Sequence, residues 1–185
     1  GIAWDWLRYP SQDNKPAIAR MTANHWRRIA KRTPTYLEGY RPGGTSRAQL
    51  RAEWIAATYF LRGEKSVVEL GCGAGRTLKA IMAVNPKIEK LGGLDVNSDA
   101  VFVARGELPL FADISVASLY EWNEWPAADV YLTVGVLIHL HPGTAKRVLD
   151  AMIAAARHRV ICVEANTDGR SSVILKGPRH WWPTV

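Results

Sequence analysis

Between residues 66 and 76 the chain reads Ser-Val-Val-Glu-Leu-Gly-Cys-Gly-Ala-Gly-Arg, and few folds admit such a run. An apolar strand passes straight into three alternate glycines, Gly71, Gly73 and Gly75, and a helical segment follows at 77–84. Alternate glycines permit a tight turn and leave backbone N–H groups bare, so that a ligand can lie against them. Strand, glycine turn and helix in that order build the nucleotide-binding corner of an open α/β sheet.

The next apolar run, Lys90-Leu91-Gly92-Gly93-Leu94-Asp95-Val96, ends in an acid 20 residues after Gly75. A carboxylate at the tip of the neighbouring strand is placed to accept both hydroxyls of a ribose. Loop and acid together predict an adenosine-type ligand. The glycine spacing then separates cofactors. A dinucleotide fingerprint is Gly-x-Gly-x-x-Gly, and here the third glycine falls one residue early, which disfavours an NAD-dependent oxidoreductase.

With its acid in front, Glu69-Leu70-Gly71-Cys72-Gly73-Ala74-Gly75 resembles the first motif of the class I S-adenosylmethionine-dependent methyltransferases. The resemblance covers residues 64 to 166. It implies S-adenosyl-L-methionine as cofactor, Asp95 with Val96 as the ribose segment, and Phe111-Ala112-Asp113-Ile114 as the adenine-contacting segment. It further implies that residues 129–139 are the fourth strand and its loop, with Val134 beside the methionine moiety. Gly135-Val136-Leu137-Ile138-His139-Leu140-His141-Pro142 is also similar to a narrower group, the methylases of pseudaminic acid and related surface-sugar pathways.

Length and composition fit one domain, with residues 1–63 as an arm and helices on a core at 64–185. No apolar run approaches the ~20 residues of a membrane helix, and no signal pattern opens the chain. Cys72 and Cys162 give neither a disulfide framework nor a metal spacing, so free buried thiols in a reducing cytoplasm are expected. The net charge of +7 gathers at the front, in Arg20, Arg27, Arg28, Lys31, Arg32, Arg41, Arg47 and Arg51. Such a cluster suits nucleic acid or an anionic sugar, and equally a solvated face. Eight tryptophans are many for this length. They offer stacking surface for a sugar or base, though core packing is their commoner use.

Periodicity predicts an arm at 1–19, a helix at 22–32 capped by Thr22, a flexible connection at 33–46, and a helix at 47–62 capped by Ser46. In the latter, Leu50, Trp54, Ala57, Phe60 and Leu61 form an apolar stripe. Strands follow at 66–70, 91–96, 109–112, 129–134 and 159–164, with helices at 75–84, 98–104 (capped by Ser98) and 144–157. A weak strand, 172–175, comes last. The expected fold is a Rossmann-like, doubly wound, mostly parallel α/β sheet with an N-terminal helical extension. Methyltransferase sheets finish with two strands after the fifth. Only 19 residues follow Asn166, so a shortened end, a fragment or a partner's strand is expected.

Methyl transfer from a sulfonium needs alignment above all, and a base only where the acceptor must lose a proton. His139 and His141 follow the fourth strand and are the candidate bases; either can instead brace the loop. Glu69 sits inside an apolar strand, where it can meet the cofactor's ammonium or bond the turn. Asp113 can reach adenine or cap a helix. The sequence lacks Asn-Pro-Pro-Tyr, a Pro-Cys nucleophile, Gly-x-Ser-x-Gly and any metal-ligand cluster. A small-molecule or sugar-like acceptor is expected, with residues 1–46 covering its site. The alternatives are a non-catalytic cofactor-binding subunit and a nucleic-acid methylase.

Overall fold

The computed structural model describes residues 15–60, 63–165 and 171–175. Helices α1 (Lys15–Arg32) and α2 (Arg47–Tyr59) precede the sheet, joined by a stretch containing the 3-10 turn Pro34–Leu37. Then come β1 (Ser66–Leu70), α3 (Arg76–Val84), β2 (Lys90–Asp95), α4 (Ser98–Glu107), β3 (Asp113–Val116), β4 (Ala128–Val134), the 3-10 turn Leu137–His139, α5 (Pro142–Ala155), β5 (Ala156–Ala165) and β6 (Ser171–Leu175). The sheet order is β3-β2-β1-β4-β5-β6. Its first five strands are parallel, and β6 runs antiparallel to β5. β1 therefore has β2 on one side and β4 on the other, and the chain changes direction across the sheet at that point, where open α/β sheets form their crevice.

Both faces of the sheet are covered. On one, Ile55 and Ala56 of α2 and Phe60 at its C-terminal cap, Leu78 and Ile81 of α3 and Val101 of α4 pack on Val67, Val130 and Ile161. On the other, Val148 and Met152 of α5 and Ile18 of α1 pack with Leu70, Tyr131 and Cys162. Thus α1 belongs to one layer and α2 to the other, and the connection between them crosses the edge of the sheet. Both cysteines are free and buried. No helix among the described residues is long and apolar enough to cross a membrane.

Several expectations are corrected. The first helix starts at Lys15 rather than 22, because Pro16 falls in its first turn, where the missing N–H breaks no helical bond. In α2 the predicted stripe is only partly right: Phe60 is fully buried as expected, but Leu50 and Trp54 are half exposed and Ala57 is exposed, and Gln49, Ala52, Ile55 and Ala56 are buried instead. The alanine face admits the closer approach to α3, which α2 packs against. Asn97, not Ser98, caps α4, accepting from the Asp99 N–H at 3.1 Å. That helix runs on to Glu107, so 109–112 form a turn, closed by Ala112 N–H to the Pro109 carbonyl at 2.9 Å, and the strand begins at Asp113. The tryptophans and tyrosine of the predicted arm, Trp4, Trp6 and Tyr9, lie outside the described residues, as do Leu61, Trp181 and Trp182.

Candidate functional site

A cavity of about 510 Å³ opens at the carboxyl ends of β1, β2, β4 and β5. Its floor is the glycine turn. Gly71 (φ 69°) and Gly73 (φ 53°) are left-handed, a conformation glycine adopts without strain. The Gly71 and Cys72 N–H groups both donate to the Leu94 carbonyl, at 2.7 and 3.0 Å, which moors the turn to β2. A side chain at Gly73 would meet nothing within 4 Å, so the backbone there faces open space.

Asp95 ends β2 beside this turn. Its Oδ2 accepts from the Gly73 N–H at 2.9 Å and its Oδ1 from the Asn97 N–H at 2.8 Å. Burial raises its carboxyl above the usual range, while the N–H groups of Asn97 and Gly73 pull it back. The carboxylate is thus oriented by the protein itself, on the rim of the cavity.

Glu69 is buried within β1, and its Oε2 has no hydrogen-bond partner. Burial, with a smaller contribution from Asp95, pushes its carboxyl up to about 8; a Thr77 hydrogen bond and the charges of Arg51 and Arg76 oppose the rise. An unmade bond on a buried polar atom is costly, and an incoming cation relieves it.

The front of the chain forms the roof. Thr22 and Trp26 of α1, Thr33, Thr35 and Tyr36 of the connection, and Ala48 and Arg51 of α2 all line the cavity. Trp26 and Tyr36 stack with centroids 5.8 Å apart. Arg76, one residue past the glycine turn, donates to the carbonyls of Thr35 at 3.0 Å and Glu38 at 2.5 Å. Arg27 reaches Ser98 Oγ at 3.2 Å, and Asn97 Nδ2 donates to the Trp26 carbonyl at 3.4 Å.

Of the predicted site residues, Glu69, Gly71, Gly73, Asp95, Val96, Val134 and His139 line this one cavity. Four do not. Gly75 serves packing: a Cβ there would lie 2.9 Å from Leu108 Cδ1 and 3.2 Å from Ala104 Cβ, so the glycine seats α3 against α4. Asp113 is exposed at the far end of β3, paired with Gly92, and Ile114 is a core residue. The later start of β3 puts Ala117, Ser118, Leu119 and Tyr120 at the cavity in their place. His141 caps α5 through Nδ1, which accepts from the Gly143 N–H at 3.2 Å.

Two residues escaped the sequence reading. Arg76 was indistinguishable from a solvated loop residue. Glu164 ends an apolar strand just as Glu69 does, and that same signal marks it. It lines the cavity, and its Oε1 accepts from the Thr133 hydroxyl at 2.5 Å.

No family model matches the chain, and no curated protein sequence matches it. Solved structures do. The plantazolicin methyltransferase BpumL, in complex with a monoazolic desmethylPZN analog and SAH, aligns at TM-score 0.58 and 20% identity, over 85% of this chain and 60% of its own. The mitomycin 7-O-methyltransferase MmcR aligns at 0.57 and 23%, over 65% and 37%. Magnesium protoporphyrin IX methyltransferase ChlM from Synechocystis PCC 6803, with bound SAM, aligns at 0.55 and 17%, over 89% and 82%. The fold is that of a class I methyltransferase. In that fold the glycine turn, Asp95 and Glu69 stand at the crevice beside the first strand. The chain spans between about a third and three fifths of the length of MmcR and BpumL.

Proposed function

We propose that this protein transfers a methyl group from S-adenosyl-L-methionine to a small or sugar-like acceptor. The observation that supports it best is the Asp95 carboxylate, bonded to the Gly73 N–H in the same cavity as the buried Glu69, whose Oε2 has no hydrogen-bond partner. The residues suit the cofactor. Asp95 would take the ribose hydroxyls, the turn would admit the cofactor closely at Gly73, where the backbone faces open space, and Glu69 would take the ammonium. Val96 and the segment after β3 would flank the adenosine, and Val134 the methionine chain. When bound, the cofactor supplies an electrophilic methyl on a sulfonium.

The chain's own residues do the rest. The roof excludes water and holds the acceptor in line, the main source of rate for such a displacement. His139 stands at the cavity and would receive a hydroxyl acceptor's proton on an imidazole nitrogen, since histidine titrates near neutral pH. Residues 15–51 hold nine lysines and arginines against one acid, Glu38, so this stretch alone exceeds the whole chain's +7. Of these nine, only Arg51 lines the cavity, where Arg76 joins it; an anionic acceptor, such as a phosphorylated or carboxylated sugar, would meet those two, and a nucleic acid is the polymeric form of the same charge.

Titration calorimetry with S-adenosylhomocysteine and with NAD tests the cofactor: tight NAD binding without S-adenosylhomocysteine binding ends this reading. A labelled-methyl screen over sugar nucleotides, neutral sugars, tRNA and DNA tests the acceptor. Label on the anionic sugars is expected. Cofactor binding with no transfer to anything would favour a non-catalytic subunit.

A further inference from the structure

Glu164 closes the apolar run of β5, with its side chain 9% exposed. Its Oε1 accepts from the Thr133 hydroxyl at 2.5 Å and the Val136 N–H at 3.2 Å, and its Oε2 accepts from the Ile138 N–H at 3.4 Å. All three donors belong to the end of β4 and the turn after it. That turn leaves the sheet through Gly135 (φ 66°), whose N–H still reaches the Val163 carbonyl at 2.8 Å. Beyond Gly135 the backbone makes the short 3-10 bonds His139 N–H to Val136 and Leu140 N–H to Leu137, both 3.0 Å, and the His141 N–H donates to the Tyr120 hydroxyl at 3.1 Å. The Val136 and Ile138 N–H groups therefore depend on one carboxylate.

The turn carries His139. Its ring lies 4.9 Å from Trp26 of α1 with the planes at 83°, and both line the cavity. We infer that Glu164 is a positioning residue: it fixes the turn after β4 in the one arrangement that sets His139 against Trp26 at the roof of the cavity. Removing it strands three donors, the buried Thr133 hydroxyl and the part-buried Val136 and Ile138 N–H groups, and donors left without their acceptor drive a short irregular turn to another conformation. The inference rests on the proposed methyl transfer only where His139 is assigned a proton to receive; the positioning itself needs no ligand.

The test is an NMR comparison of protein labelled in its histidine and tryptophan rings, without cofactor or acceptor. His139→Gln assigns the His139 signals, and Trp26→Leu gives their positions without the neighbouring ring. In the parent protein, Overhauser contacts between the Trp26 and His139 rings are expected. In Glu164→Ala these contacts should vanish and the His139 signals move to their Trp26→Leu positions. Glu164→Gln keeps the length and one acceptor, but turns an N–H toward Ile138; it should keep the fold and lose at least half of the contact intensity. The order parent, Gln, Ala is the spectroscopic signature of positioning. If folded Glu164→Ala retains the parent contacts, the inference is overturned; where that variant does not fold, unchanged contacts in Glu164→Gln overturn it. S-adenosylhomocysteine titrated into the same samples separates the two ideas. Failure to bind in the parent protein overturns the proposed reaction and leaves the ring contacts as the sole judge of Glu164.

Discussion

Glu69 is the residue whose chemistry departs furthest from its type. Its carboxyl is pushed from 4.5 to about 8 chiefly by burial. The folded state therefore holds a proton that the unfolded chain releases between those values. Stability should fall as pH rises through that window, by up to about 1.4 kcal/mol per pH unit, and level off above it. Glu69→Gln removes the dependence, so its stability relative to the parent should improve from pH 5 to pH 8 in urea unfolding series. An ammonium arriving beside Glu69 would draw the proton off. Binding of S-adenosylhomocysteine near pH 7 should then release a proton, read by calorimetry in buffers of different ionisation enthalpy. Asp95 offers a simpler test. Asp95→Ala should weaken S-adenosylhomocysteine by about 1.5–3 kcal/mol, the size of a lost charge-assisted hydrogen bond.

Among the elements, the glycine turn meets the turn after β4 at one tight point. A Cβ on Gly71 would stand 2.4 Å from Val136 Cγ2, and the φ of 69° opposes any side chain. Gly71→Ala should cost about 1–3 kcal/mol from backbone strain alone, with a comparable overpacking cost. Val136→Ala in the same chain should recover the packing part and not the strain part, a coupling visible in a double-mutant cycle of unfolding energies. This level also shows what a sequence can and cannot disclose. β1, the glycine turn and β2 are adjacent in the chain, and their apolar runs and turn chemistry are local signals, so Glu69, Gly71, Gly73 and Asp95 were all legible. The start of β3 was not, because nothing local distinguishes the apolar turn around Leu110 and Phe111 from a strand; only pairing with Gly92–Asp95 decides it. For the same reason the buried face of α2 was misread: two apolar stripes compete on that helix, and contact with α3 selects the smaller one. Glu164 depends on donors some thirty residues away, a separation no spacing rule spans.

At the scale of the molecule, the front of the chain links the two layers that sandwich the sheet, passing over the carboxyl edge as it goes. Sequence composition suggests residues 1–46 as a cover; of that stretch Thr22, Trp26, Thr33, Thr35 and Tyr36 line the cavity, while Ile18 packs into the core. Hydrogen exchange of residues 15–46 should slow when cofactor and acceptor bind; a helix merely resting on an outer face would show no change. The strap's fastenings have a temporal consequence. Arg76 holds the Thr35 and Glu38 carbonyls from the first turn after the glycines, and Asn97 holds that of Trp26 from just beyond Asp95. The groups that would embrace the nucleoside are thus neighbours of the groups that latch the strap. Leaving the pocket then requires undoing the latch, so departure rather than transfer would set the pace of the cycle. A rapid first turnover followed by a slower steady rate is the expected trace, and Arg76→Gln should quicken the slow phase while leaving the first turnover nearly unchanged.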